Sequence, residues 1–165
     1  MTLIKRATTT GAVSTGTTFD GVFTATYKTY QIVIEQWYAG TRDDDGIFKY
    51  RKAAVTTSAS YYSAANEFTE SNTTINLSAS NVAQLTLTSE IGDVTYPRSA
   101  LTITITPNVT QPPLGYFYGM AGGSTGVLAP RGAFFNNGVT APDGFILSTA
   151  SNTTCTVAVY GLAIS

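Results

Sequence analysis

From Tyr30 to Tyr38 the chain alternates. Tyr30, Ile32, Ile34, Gln36 and Tyr38 fall on one side of an extended backbone, and Gln31, Val33, Glu35 and Trp37 on the other. A period of two is the mark of a β-strand. The same rhythm returns in LTLT from Leu85 and in LTITIT from Leu101. Apolar residues there point one way and threonines the other, as in antiparallel strands with one solvated face. Further strands are expected from Ile47 to Val55, Thr73 to Leu77, Tyr116 to Met120, Gly126 to Leu128, Phe145 to Ser148 and Thr153 to Ile164.

Turn chemistry separates these runs. Asp45-Gly46 reads as a hairpin turn and Asp143-Gly144 opens the strand at Phe145, while Pro107 ends a strand and Gln111-Pro112-Pro113 stiffens a turn. Phe134-Phe135-Asn136-Asn137-Gly138 reads as a turn with an aromatic anchor, and only residues 58–68 suggest a helical turn. Many short strands without helical periodicity predict an all-β fold, an antiparallel β-sandwich or jelly roll. Residues 1–18 are small, polar and aperiodic, which predicts an extended N-terminal arm before a single sandwich domain over 19–165.

Composition narrows what such a fold can do. The 165 residues include no histidine, one cysteine and 12% charged residues, with a formal net charge of -1. Histidine is the usual proton shuttle and metal ligand near neutral pH, so most hydrolase and metal-site designs are closed to this chain. The surface must consist largely of Thr, Ser, Asn and Gly, which suits a permanent assembly. Basic clusters are limited to Lys5-Arg6 and to Lys49, Arg51 and Lys52, so no nucleic-acid partner is expected. Cys155 is expected to be a buried, inert thiol beside Val157 and Val159. No apolar run is long enough for a membrane helix, and the N-terminus lacks an apolar signal core, so synthesis in the cytoplasm without membrane insertion is expected.

Candidate chemistry is sparse. Asp43-Asp44-Asp45 lacks the spacing of a calcium loop, and no metal or other cofactor is expected. Ser-Lys catalysis has no recognisable motif around the lysines at 5, 28, 49 and 52. Glycoside hydrolysis needs only two carboxylates, and Asp20, Glu35, Asp43, Asp44, Asp45, Glu67, Glu70, Glu90, Asp93 and Asp143 are available. Most sit beside glycine or in loop-like stretches where turn chemistry explains them, so no enzyme is expected. Aromatic residues supply the other possibility. Trp37, Tyr61-Tyr62, Tyr116, Phe117 and Tyr118 can stack on sugars or anchor an interface, although alternation should send one of each adjacent pair inward.

Two segments carry a resemblance. The run TFDGVFTATYKTYQIVIE, Thr18 to Glu35, resembles the opening of a domain found in tailed-phage virion proteins, including those of cyanophages. Asp143-Gly144-Phe145 and Val159-Tyr160-Gly161 are similar to its closing DGF and VYG elements. The resemblance spans residues 18–165 and implies a virion structural protein with a β-sandwich body, built into symmetric oligomers on a capsid or tail, with no catalytic residues. Fibre-tip versions follow a long N-terminal anchor; only a short arm precedes Phe19 here, which shifts the expectation to a capsid decoration or cement protein. A homotrimer bound to the major capsid protein or other virion proteins is then expected, with Leu3, Ile4, Lys5 and Arg6 of the arm lying along a neighbour. The alternative is a tail or fibre component in which Tyr61 and Tyr62 bind host-surface glycans.

Overall fold

The computed structural model describes residues 1–11, 16–41, 43–95, 99–107, 110–124 and 126–162. Residues 12–15 of the predicted arm, Thr125 and the last predicted strand position, Ile164, lie outside them. Among the described residues there are fourteen strands and no helix, and every strand pairing is antiparallel. The all-β sandwich expected from the alternation is what forms.

The larger sheet contains β1 (Thr2–Gly11), β3 (Thr29–Ala39), β6 (Tyr61–Thr69), β7 (Thr74–Asn76), β8 (Ala79–Val82), β10 (Ser99–Thr106), β11 (Leu114–Gly123), β12 (Gly126–Asn136) and β14 (Thr153–Leu162). Its order is β1-β14-β3-β10-β11-β12-β6-β7, with β8 also on β6. The smaller sheet contains β2 (Thr17–Phe19), β4 (Asp44–Lys52), β5 (Val55–Thr56), β9 (Leu85–Ile91) and β13 (Gly144–Ser148), in the order β2-β13-β4-β5 with β9 also on β4. Between the sheets lies an aromatic core in which Phe19, Tyr30, Trp37, Phe48, Tyr50, Tyr61, Phe117 and Phe145 are fully buried.

Several expectations change on this framework. In β3 the alternation slips: Tyr30, Ile32 and Ile34 face inward, but so do Trp37 and Ala39, while Gln36 and Tyr38 face out. Register shifts against both β14 and β10 place a bulge at Glu35–Gln36, and the extra residue reverses the faces beyond it. Trp37 is therefore core and not an exposed aromatic. Gly46 makes no hairpin. The chain has already crossed from the larger sheet to the smaller between β3 and β4, and Gly46 sits in an irregular stretch of β4, where a Cβ would press on the Thr88 methyl at 2.7 Å.

Residues 58–68 form no helical turn but most of β6, and Phe134 and Phe135 belong to β12, with the turn delayed to Asn137-Gly138. The N-terminal segment is extended but is no separate arm. Thr2–Gly11 is the edge strand of the chain's own larger sheet, paired with β14, and Thr17–Phe19 is part of the smaller sheet. Residue 18 is thus not a domain boundary.

The residues behind the resemblance meet in one place. Phe19 and Phe145 stack at 4.8 Å, Phe23 stacks on Phe145 at 5.7 Å, and Tyr30 meets the Phe23 ring edge-on at 5.0 Å. The Tyr30 hydroxyl accepts from the Thr24 amide and donates to its carbonyl, which pins the turn before β3. Gly161 of the VYG element lies against the Tyr27 ring, leaving no room for a Cβ. These motif residues build the core and its turns.

Candidate interaction surface

Outward positions on a half-buried sheet are normally polar. On β11 they are Leu114, Tyr116, Tyr118 and Met120, exposed by 59%, 52%, 51% and 61%. The inward positions Gly115, Phe117 and Ala121 are buried, so strand alternation itself fixes the outer column. Phe135 and Val127 of β12 extend the apolar surface, and Tyr62 of β6 stacks on Phe135 with ring centroids 4.7 Å apart and planes within 4°. Only Arg131 is charged among the outward residues of β6, β10, β11 and β12, and its guanidinium lies 4.6 Å from the Phe68 ring centroid.

Two open grooves follow this face. One, of about 640 Å³, runs between Tyr116 and Arg131 and the polar edge formed by Thr74, Asn76 and Ser78. The other, of about 800 Å³, is lined by Tyr62, Phe135, Leu114 and Pro112, with Gln111 and Ser63 contributing polar atoms. They offer shape and apolar contact, with no reactive group among the side chains named.

The two tyrosines proposed for glycan binding part company. Tyr62 is half-buried on the outer face. Tyr61 is fully buried, stacks on Tyr50 at 6.2 Å, and its hydroxyl accepts the Tyr50 backbone N–H at 2.5 Å. Burial pushes both phenols well above the ordinary tyrosine range. Tyr61 therefore cannot touch a bound sugar.

The arm residues are likewise distributed along β1. Leu3 is exposed, Ile4 packs against the core, and the Lys5 ammonium lies 5.6 Å from the Phe19 ring centroid. Arg6 donates two hydrogen bonds to Glu35, at 3.0 and 2.6 Å. This ion pair holds the Glu35 carboxyl below its ordinary range and raises Arg6.

Most of the candidate carboxylates serve as hydrogen-bond acceptors that tie loops and sheets together. Asp20 pairs with Arg51 at 2.7 Å, Asp43 accepts from Ser124, Asp44 from Ser151, and Asp143 from the Ala53 amide. Glu67 is fully buried and accepts from Thr88 Oγ1, from the Ser89 amide at 3.0 Å and from the Ser89 hydroxyl at 2.5 Å. Asp45 is raised, by burial first and by Asp44 second. No group of three or more His, Cys, Asp or Glu side chains able to hold a metal occurs among the described residues.

Sequence reasoning named Tyr116 and Tyr118 but missed Leu114, Met120, Val127 and Phe135 as their companions. The signal was the apolar outward register of β11, which a short, glycine-flanked strand concealed. The chain matches no family model, no curated protein and no solved structure.

Proposed function

We propose that the chain is a structural protein of a tailed-phage virion, acting as a capsid decoration protein that reinforces the shell as an oligomer. The observation that supports this best is the outer face of β11 and β12, a broad apolar surface almost free of charge. Such a patch on a protein with so few charged residues suits permanent contact with other proteins. The resemblance supplies the setting, with three copies as the expected assembly and the major capsid protein as partner. The work done is mechanical. Several copies linked in one oligomer engage the shell at several points, and avidity makes weak contacts hold. The open edge of β1 offers one such contact, because its outward-pointing backbone groups can add to a neighbouring strand.

Purified protein mixed with shells that lack it should co-sediment with them and raise the temperature at which they open. Absence of co-sedimentation with shells would overturn the decoration reading. A second reading, a tail component that binds host-surface glycans, draws on the Tyr62–Phe135 stack beside Gln111 in the larger groove. It predicts glycan-array binding that Tyr62→Ala abolishes.

A further inference from the structure

We infer that the β11 face is the surface through which copies of this chain bind one another. The inference takes from the functional reading only the expectation of an oligomer; the rest stands on geometry. Along β11, Leu114, Tyr116, Tyr118 and Met120 form a continuous outward column. Alternate residues of a strand lie about 7 Å apart, so four of them span roughly 20 Å.

The neighbours across β10 are smaller. Met120 faces Ala100, Tyr118 faces Thr102, Tyr116 faces Thr104 and Leu114 faces Thr106. The column is thus a ridge with a step down on one side. Beyond it, on the β12 and β6 side, lie the two grooves. A ridge and a groove side by side on one face form a self-complementary surface, because the ridge of one copy can lie in the groove of the next.

Area and charge favour this occupant. The six large apolar residues Leu114, Tyr116, Tyr118, Met120, Val127 and Phe135 are each about half exposed. At about 100 Å² apiece they present roughly 600 Å², the upper end of what a monomer normally leaves open. A stable interface covers about 800 Å² per partner, which the surrounding Ala100, Ala129 and Ala133 bring within reach. A nucleic acid or an acidic partner would require a basic surface, whereas Arg131 stands alone here. Another copy of the same face brings a single guanidinium, held against the Phe68 ring, and so little charge repulsion. The tyrosine hydroxyls remain free to hydrogen-bond at the rim or around a symmetry axis.

The test reads copy number directly. Light scattering on the full chain at tens of micromolar should give a closed oligomer, and Tyr116→Asp combined with Tyr118→Asp should reduce its mass to that of one chain. Both positions are half exposed, so the variant should keep its strand circular dichroism and its cooperative melt. Met120→Cys supplies a second route that leaves the remaining face intact: a maleimide should label it several-fold more slowly in the oligomer than it labels Val55→Cys on the smaller sheet, although both positions are exposed in the single chain. A wild-type monomer, an oligomer whose mass survives both Asp substitutions, or Met120→Cys chains that are labelled as fast as Val55→Cys chains would each overturn the inference. None of these readouts involves a capsid, so a failure of the shell-binding reading leaves them unaffected.

Discussion

Tyr61→Phe should destabilise the fold by about 1–3 kcal/mol although it removes a single oxygen from the core. β9 pairs with β4 as far as Phe48, and β5 pairs with Arg51 and Lys52. Tyr50 falls between them. Its amide N–H is taken by the Tyr61 hydroxyl, which reaches across the core from the other sheet at 2.5 Å. Phenylalanine keeps the ring and its stacking on Tyr50, so no cavity forms. What is lost is the acceptor, and an unpaired buried N–H costs about 1–3 kcal/mol. For a chain of this length that corresponds to a fall in Tm of about 2–4 °C per kcal/mol. Urea unfolding followed by tryptophan fluorescence measures the change, since Trp37 is the single tryptophan and is buried. Tyr62→Phe, on the outer face, serves as the control and should change stability by less than about 0.5 kcal/mol. Equal effects at the two positions, or no loss for Tyr61→Phe, would refute the reasoning.

Other perturbations have definite signs. Ala53 and Ala54 both hold positive φ, 50° and 64°, in the turn between β4 and β5; Ala53→Asn with Ala54→Gly should raise stability by about 1 kcal/mol, read as a higher urea midpoint. Gly161→Ala should cost about 1–3 kcal/mol by forcing the Tyr27 ring aside, and Tyr27→Ala should relieve part of that cost in a double-mutant cycle. Burial raises the Cys155 thiol to about 11. The native state then holds the thiol proton longer than the unfolded chain, so the associated stability is intact below the ordinary thiol pKa and is lost as pH rises toward 11. At pH 8 a disulfide reagent should label Cys155 only at the rate of unfolding. Arg6 depresses the Glu35 carboxyl, so that pair stabilises the β1 edge above the ordinary carboxylate range and releases it as pH falls through the lowered value. Hydrogen exchange in β1 should accelerate at acid pH, and Glu35→Gln should remove that dependence.

The architecture was legible because alternation in Tyr30–Ile34, Leu101–Ile105 and Leu85–Leu87 needs only local chemistry. The exceptions have local causes that sequence does not display. One extra residue at Glu35 reverses a strand face, and nothing in the side chains announces it. β6 turns Ala65 and Glu67 toward the interior, so a small and a charged residue occupy positions where large apolar ones are expected. Glu67 is tolerated there because Thr88 and Ser89, distant in sequence, supply its donors. The N-terminal segment looked like a free arm because the surface it covers, β14, lies at the other end of the chain. As for the site, Tyr116 and Tyr118 could be named from sequence, but the ridge they belong to exists only once β10, β11, β12 and β6 lie side by side.

Electron microscopy of shells that lack this protein, before and after its addition, tests the central claim most directly. The account predicts added density repeated over the shell lattice, each unit an oligomer joined through its β11 faces. Density confined to the tail, or a shell left unchanged, would contradict it.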